Sequence, residues 1–366
     1  MTKLKLKLTK ENLLILSLVL ILSLILIYSL VLTPALGKAD NGDFARMYKH
    51  FGLGDLGTTY SEQYDSYFHQ FFKTNQIVFV PLIKNNWVLG CFIGQLAVLF
   101  NSLLNYYYPV IFDIRILGSL YSIFFILGVY FILKYDKLSN FSKLISGVFI
   151  ILFFTDGIYI SYFNSFFGEA TTIAFLFLTI GSFLLLISKK EPLKRHFIFF
   201  FIASACFLTS KTQQLPLLLF ILLIYIALFI FYQNHKKLIL ISSIFVVTFC
   251  VTTFFSIDEY TNKNNIYQSV FAGILNDSET CDKDLEELGI NPKFASNAGA
   301  GFYAKDLKYD PLGDEMLEEF YPNISLGKII KFYVTHPTRM WENIKSAADN
   351  AYSFYHNSRT KCKHGR

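Results

Sequence analysis

The chain has 366 residues, of which 53% are hydrophobic, 18% aromatic and only 16% charged, with a formal net charge of +6. Soluble domains carry about 25% charged residues, so this composition excludes an ordinary soluble protein. The positive charge lies in short clusters beside apolar runs, where it reports membrane topology rather than a nucleic-acid partner.

Lys3, Lys5, Lys7 and Lys10 precede an uncharged apolar run over 13–32. A run of that length crosses a hydrocarbon core of about 30 Å, and no small-residue cleavage site follows it, which argues against a signal peptide. The lysine bias predicts a cytoplasmic N-terminus. The segment Asn41-Gly42-Asp43-Phe44-Ala45-Arg46-Met47 then emerges on the far side. Residues 87–104 are apolar but interrupted by Gly90, Gly94, Gln95, Asn101 and Ser102. Further uncharged runs follow, separated by basic loops at 134–143, 188–196 and 235–237 that are expected on the cytoplasmic side.

Alternation of sides then decides what 87–104 does. Both the end of the first span and the start of the run near 110 face outward, so 87–104 is expected to lie at the outer interface, with Trp87 and Tyr106-Tyr107-Tyr108 as anchors. The expected architecture is an all-α polytopic membrane protein with about seven spans, at 13–33, 110–133, 144–162, 169–187, 196–210, 215–233 and 238–256. A large first outer loop covers 34–109. Residues 1–256 form the transmembrane module and 257–366 a mostly helical extracytoplasmic C-terminal region, with turn signals at Asn291-Pro292, Asp310-Pro311 and Tyr321-Pro322. Cys91, Cys206 and Cys250 lie in apolar runs and read as small hydrophobes, whereas the spacing of Cys281 and Cys362 leaves their pairing open.

Polar groups gather at the outer ends of these spans. Asp43 and Arg46 stand three residues apart, so they share a helix face. Asp156 lies near the outer end of the span 144–162, and Tyr162-Phe-Asn-Ser-Phe-Phe-Gly-Glu169 joins two spans and ends in a carboxylate. Thr209-Ser210-Lys211-Thr212 is a tight outer turn holding one cation. Ionisable groups at membrane depth are costly and so point to function. Each also has a structural alternative: Asp43 as a helix cap, Arg46 as its ion-pair partner, Asp156 satisfied within the bundle, Glu169 as a first-turn acid, Lys211 as a loop charge. No zinc-like ligand spacing, P-loop, GxGxxG or GxSxG is present.

Two carboxylates, cations and an interfacial helix suit transfer of a sugar from a polyprenyl phosphate, where a carboxylate takes the acceptor proton and a cation steadies the leaving phosphate. The order of elements resembles the GT-C class of membrane glycosyltransferases. Gly42-Asp43-Phe44-Ala45-Arg46-Met47 matches the position of that class's early catalytic Asp, and Pro81-Leu82 through Trp87 is similar to its interfacial helix. Asp113-Ile-Arg115 resembles the start of the next span, 162–169 the place of its second acidic residue, and Leu208-Thr-Ser-Lys211 with Pro216 a Leu-Thr-Lys turn. Within the class, the likeness is to bacterial hexose transferases of cell-surface glycan synthesis.

The resemblance implies Asp43 and Glu169 as catalytic groups, with Arg46, Asn164, Lys211 and Asp156 contacting substrate. It also implies a polyprenyl-phosphate sugar donor, a glycan acceptor, and a cell-membrane location with an extracytoplasmic site. Metal dependence stays open, with Asp43 and Glu169 as the ligands of any divalent ion, because Gly42 stands where the class often has a second acid. Many members carry further spans beyond the region of 340–350, so a truncated C-terminus is one reading. A lipid-linked glycan flippase and a non-catalytic assembly protein are the alternatives. A flippase needs polar groups along a path through the bilayer, whereas here they cluster at one end.

Overall fold

The computed structural model describes residues 9–32, 34–41, 43–54, 68–74, 88–104 and 111–350. Gly42, Pro81, Leu82, Trp87, Tyr106 to Tyr108, Cys362 and the terminal stretch 358–366 lie outside the described residues. The chain divides into two compact units at Ile257/Asp258.

In the first unit, helix α1 (Lys10–Leu30) is capped by Thr9, whose side chain accepts from the Asn12 amide. It buries one stripe, Ile15, Leu18, Leu22, Leu26 and Leu30, at helical spacing. The short helix α2 (Ala45–Tyr48) follows, then a 3₁₀ turn at Lys49–Phe51. Next come strands β1 (Leu53–Gly54) and β2 (Phe71–Thr74), helix α3 (Leu89–Leu104) and strand β3 (Ile111–Asp113). The helices that complete the unit are α4 (Arg115–Leu133), α5 (Asn140–Phe154), α6 (Gly157–Ile160), α7 (Gly168–Ile187), α8 (Lys194–Leu208), α9 (Leu218–Phe231) and α10 (Lys236–Phe255).

Helices α4 and α7 form the centre. They approach closely because Gly128 and Gly181 carry no side chain: a Cβ at Gly128 would sit 2.5 Å from the Leu178 amide nitrogen, and one at Gly181 2.4 Å from the Gly128 carbonyl. Tyr121 and Thr171 hydrogen-bond across the same pair at 3.0 Å. Cys91, Cys206 and Cys250 are buried free thiols.

Polar contacts define the two ends of this bundle. At one end, Lys143 pairs with Glu11 at 2.6 Å and Lys134 donates to Asn12 at 2.8 Å, joining the start of α1 to the α4–α5 turn. At the other, Arg115 donates to the Val31 carbonyl at 2.9 Å, and Asn164 donates to the carbonyls of Leu30 (2.9 Å) and Leu36 (2.7 Å). The last carbonyls of a helix have no partner within it, so the bonds to Leu30 and Val31 satisfy orphaned acceptors at the end of α1.

Two expectations are corrected. The chain is not all-α: β1, β2 and β3 form a small antiparallel sheet in that order, with Leu53 opposite Thr74 and Phe72 opposite Phe112. The span expected over 144–162 is not continuous. It breaks after Phe154 and turns by 65° into 157–164, because Asp156 adopts an extended conformation and accepts from the Ile158 amide at 2.8 Å, capping a new helix start. About seven spans were expected, and length and composition support most of them. Among the described residues, five helices are long and apolar enough to cross a membrane, six if the bent pair counts as one. The expected span 196–210 is a helix of 15 residues, about 22 Å long and short of a bilayer core.

Helix α3 lies across the Arg115 end of the bundle. Its first amide, Leu89, donates to the Thr209 carbonyl at 3.0 Å, and near its other end Asn101 donates to the Ile111 carbonyl at 2.9 Å. Its 16 residues span about 24 Å, less than the core thickness.

The second unit has its own core, including Tyr267, Phe271, Phe294, Met316 and Phe320. Its helices are α11 (Glu259–Tyr267), α12 (Cys281–Leu288), α13 (Leu326–Thr335) and α14 (Pro337–Asn350). Gly289 ends α12 in the left-handed conformation, φ 74°, and Lys328 donates to the Leu288 carbonyl at 2.9 Å, closing that helix end.

Candidate active site

The Asp43 loop is held by its own side chains. Asn41 accepts from the Asp43 amide at 3.2 Å, and Asp40 accepts from the Phe44 amide at 3.1 Å. Asp43 does not cap α2; the N-cap position is Phe44, with no side-chain bond. The Asp43 carboxylate instead faces the Arg46 guanidinium at 3.2 Å, both side chains part-exposed. Phe44, Met47, Tyr48 and Phe51 turn inward and are buried. The backbone beneath Asp43 is therefore anchored while its carboxylate stays accessible.

The anchor is aromatic. Phe166, buried at the centre, meets Phe44 (5.3 Å between ring centroids), Tyr48 (5.6 Å), Phe51 (5.6 Å) and Phe72 (4.8 Å). Phe112 adds a contact from β3 at 6.3 Å. The small sheet thus supplies Phe72 and Phe112 to the same cluster, and the cluster joins the Asp43 loop to the turn that carries Glu169. Ser165 shapes this turn, accepting from the Phe167 amide at 3.2 Å.

Glu169 sits in the first turn of α7, where the helix dipole favours an anion. Its Oε1 meets the Lys211 ammonium at 2.6 Å, with both side chains about one-third exposed. Its Oε2 is buried and has no hydrogen-bond partner among the described residues. Gly168 makes room for the lysine: a Cβ there would lie 2.4 Å from Lys211 Cγ and 3.0 Å from the Ser210 carbonyl. Thr172 and Ser210 hydrogen-bond at 2.8 Å and tie the Lys211 turn to α7.

Lys38, which the sequence did not mark as a site residue, also joins this end. Lys38 places its ammonium over the Tyr162 ring, 4.7 Å from the centroid, and Tyr162 packs edge-on against Phe167 at 5.8 Å. Lys38 lies seven residues before α2, a spacing that carries no pattern linking it to Tyr162. Asp113 and Arg115 form a further ion pair at 2.6 Å, and the Arg115 bond to Val31 makes this pair a brace between α1 and α4.

The six residues expected at the site therefore separate. Asp43 with Arg46, and Glu169 with Lys211, form two ion pairs at one bundle end, linked by the Phe166 cluster. Asn164 is fully buried, and both protons of its amide nitrogen serve α1 and the following loop. Those bonds tie the turn before Glu169 to the end of α1. Asp156 is exposed and engaged as a helix cap.

Asp43 and Glu169 each already face a cation, and among the described residues no group of three His, Cys, Asp or Glu side chains converges. The arrangement presents two carboxylates beside three cations, Lys38, Arg46 and Lys211, at one end of a helical bundle. That combination can accept a proton and balance a phosphate's charge.

Comparison with known proteins places the chain among membrane proteins. Residues 2–365 match the family described as the YfdI N-terminal transmembrane domain, and the chain belongs to that family. No curated protein and no solved structure matches it.

Proposed function

We propose that this member of the YfdI N-terminal transmembrane domain family is a multi-pass membrane glycosyltransferase. It moves a sugar, a hexose, from a polyprenyl-phosphate donor to a cell-surface glycan acceptor on the extracytoplasmic face. The observation that carries the reading is the Glu169–Lys211 pair, with one carboxylate oxygen buried and without a partner among the described residues, at the bundle end that also holds Asp43 and Arg46. The resemblance to the GT-C class in the order of these elements supports it.

In this reading the acceptor hydroxyl oxygen bonds to the anomeric carbon of the sugar. The bond from that carbon to the phosphate oxygen breaks, and the phosphate leaves with the bonding pair. Asp43 takes the hydroxyl proton as general base. Lys211 and Arg46 stabilise the charge gained by the phosphate, which is largest after the bond has begun to break. Glu169 holds the Lys211 ammonium in place and leaves Oε2 to receive a sugar or acceptor hydroxyl. The polyprenyl chain stays in lipid, which explains a site at the membrane surface.

Asp43→Asn tests the assignment, because it keeps size and removes the base. Membranes containing the variant at normal abundance are expected to lose transfer from a radiolabelled polyprenyl-phosphate hexose by about 10²-fold or more. Undiminished transfer in that variant rejects Asp43 as the base. Glycan composition of cells with and without the chain identifies the sugar, as the monosaccharide that disappears.

A further inference from the structure

The two last helices of the second unit carry their apolar side chains outward. Helix α13 turns Ile329 and Phe332 into the core, while Leu326, Ile330 and Val334, at four-residue spacing along one face, remain exposed, Val334 by 74%. Helix α14 is inverted relative to a helix that faces water. The side that holds it to the unit is polar: Arg339 donates to the Ile274 carbonyl at 2.7 Å and pairs with Asp284 at 3.0 Å, and Asn343 donates to the Tyr333 hydroxyl at 2.9 Å. Its other side presents Met340, Trp341 and Ile344, with Trp341 67% exposed. A surface helix in water buries its apolar stripe and exposes its charges. Here Arg339 and Asn343 face the unit while Met340, Trp341 and Ile344 face outward beside the exposed Glu342 and Lys345, an amphipathic face suited to an apolar boundary.

The unit's attachment identifies that boundary. Helix α10, long and apolar enough to span a bilayer, ends at Phe255, and the second unit begins at Asp258. Lipid is thus present at that attachment point at all times. The side chains also have the pattern of a helix lying in the interface: large apolar groups and one Trp on one side, with Lys331 and Lys345 on the flanks where their stems can reach along the boundary to phosphate groups.

We propose that α13 and α14 form a lipid-docking surface, resting on the bilayer with Trp341 at headgroup level. This surface is independent of the transfer reaction proposed above, and its test does not require activity.

The chain contains two tryptophans, Trp87 and Trp341, so Trp87→Phe leaves Trp341 as the sole indole emitter. The full chain is reconstituted into vesicles of phosphatidylcholine with a minority of phosphatidylglycerol, with or without bromine on the upper acyl chain. The expected result is blue-shifted Trp341 emission, lost to a large part in brominated lipid and little affected by aqueous acrylamide. Water-like emission quenched by acrylamide overturns the proposal. Blue-shifted emission that brominated lipid leaves intact overturns it too, because protein, either a second copy or the chain's own last residues, then covers the face. Should Trp87→Phe fail to fold, the same signal is obtained as the difference between the natural chain and Trp341→Phe.

Discussion

Phe44 and Phe167 meet edge to face, with ring centroids 4.8 Å apart. One ring follows Asp43 directly in the chain, and the other precedes Glu169 by two residues. This contact fixes two carboxylate-bearing segments that are more than a hundred residues apart in sequence. Phe44→Ala opens a cavity among Phe72, Phe166 and Phe167, at a cost of about 3–5 kcal/mol. Phe44→Leu retains most of the volume and loses the aromatic edge contacts, worth about 0.5–1.5 kcal/mol each. Thermal unfolding of the detergent-solubilised protein is expected to rank natural chain, Leu, Ala in that order. An Ala variant as stable as the natural chain would mean that the aromatic cluster does not hold the loop.

The Glu169–Lys211 pair separates stability from activity. Both side chains are about one-third exposed, so the pair adds at most about 1 kcal/mol to folding. Its role in stabilising charge predicts a far larger effect on transfer: Lys211→Met is expected to lower the rate by about 10²–10³-fold with little change in melting temperature. Lys211→Arg keeps the charge with a wider, planar head and recovers part of the rate. A drop in melting temperature that accounts for the whole activity loss would make the pair structural.

Gly168→Ala perturbs the same lysine without touching any charge. The new methyl group lies within 2.4 Å of Lys211 Cγ and 3.0 Å of the Ser210 carbonyl, so the lysine stem and the turn must shift. Alanine is the better helix former by about 1 kcal/mol, which offsets part of the strain. The measurement is transfer rate against melting temperature in the same preparation. Loss of transfer with near-normal melting is expected; normal transfer would show that Lys211 placement has wide tolerance.

The sequence carried the apolar runs and the basic loops because both follow from transfer free energies that act residue by residue. The stripe Ile15, Leu18, Leu22, Leu26 and Leu30 is legible for the same reason. The break at Asp156 was not, since one carboxylate inside an apolar run reads alike as a buried charge and as a cap; only the Ile158 amide decides between them. The sheet escaped notice because β1 and β3 have 2 and 3 residues, too few to show an alternating period. Asn164 looked like a ligand by its neighbours in the chain. Its partners, Leu30 and Leu36, are tertiary, and nothing local predicts them. Lys38 escaped for a similar reason, because its contact with Tyr162 joins positions more than a hundred residues apart.

At the opposite bundle end, Lys143 and Glu11 form a pair of unequal burial. Lys143 is 1% exposed and Glu11 43%, with 2.6 Å between Nζ and Oε1. The two single variants should therefore differ. Lys143→Met replaces a buried ammonium by an apolar group of similar length and leaves Glu11 able to reach solvent. Its cost is small, because the desolvation penalty of the lysine disappears along with the attraction. Glu11→Gln leaves the ammonium buried without a counter-charge, and breaking a buried pair in this way costs about 3–5 kcal/mol at the upper end. Lys134, which donates to the neighbouring Asn12 at 2.8 Å, adds a second cation to that end and sharpens the penalty. Thermal unfolding of the full chain is expected to rank Lys143→Met close to the natural protein and Glu11→Gln well below it. In the double variant the Glu11→Gln defect should largely vanish. The reverse ranking would mean that the lysine, not its carboxylate partner, is the group the α1–α5 junction depends on.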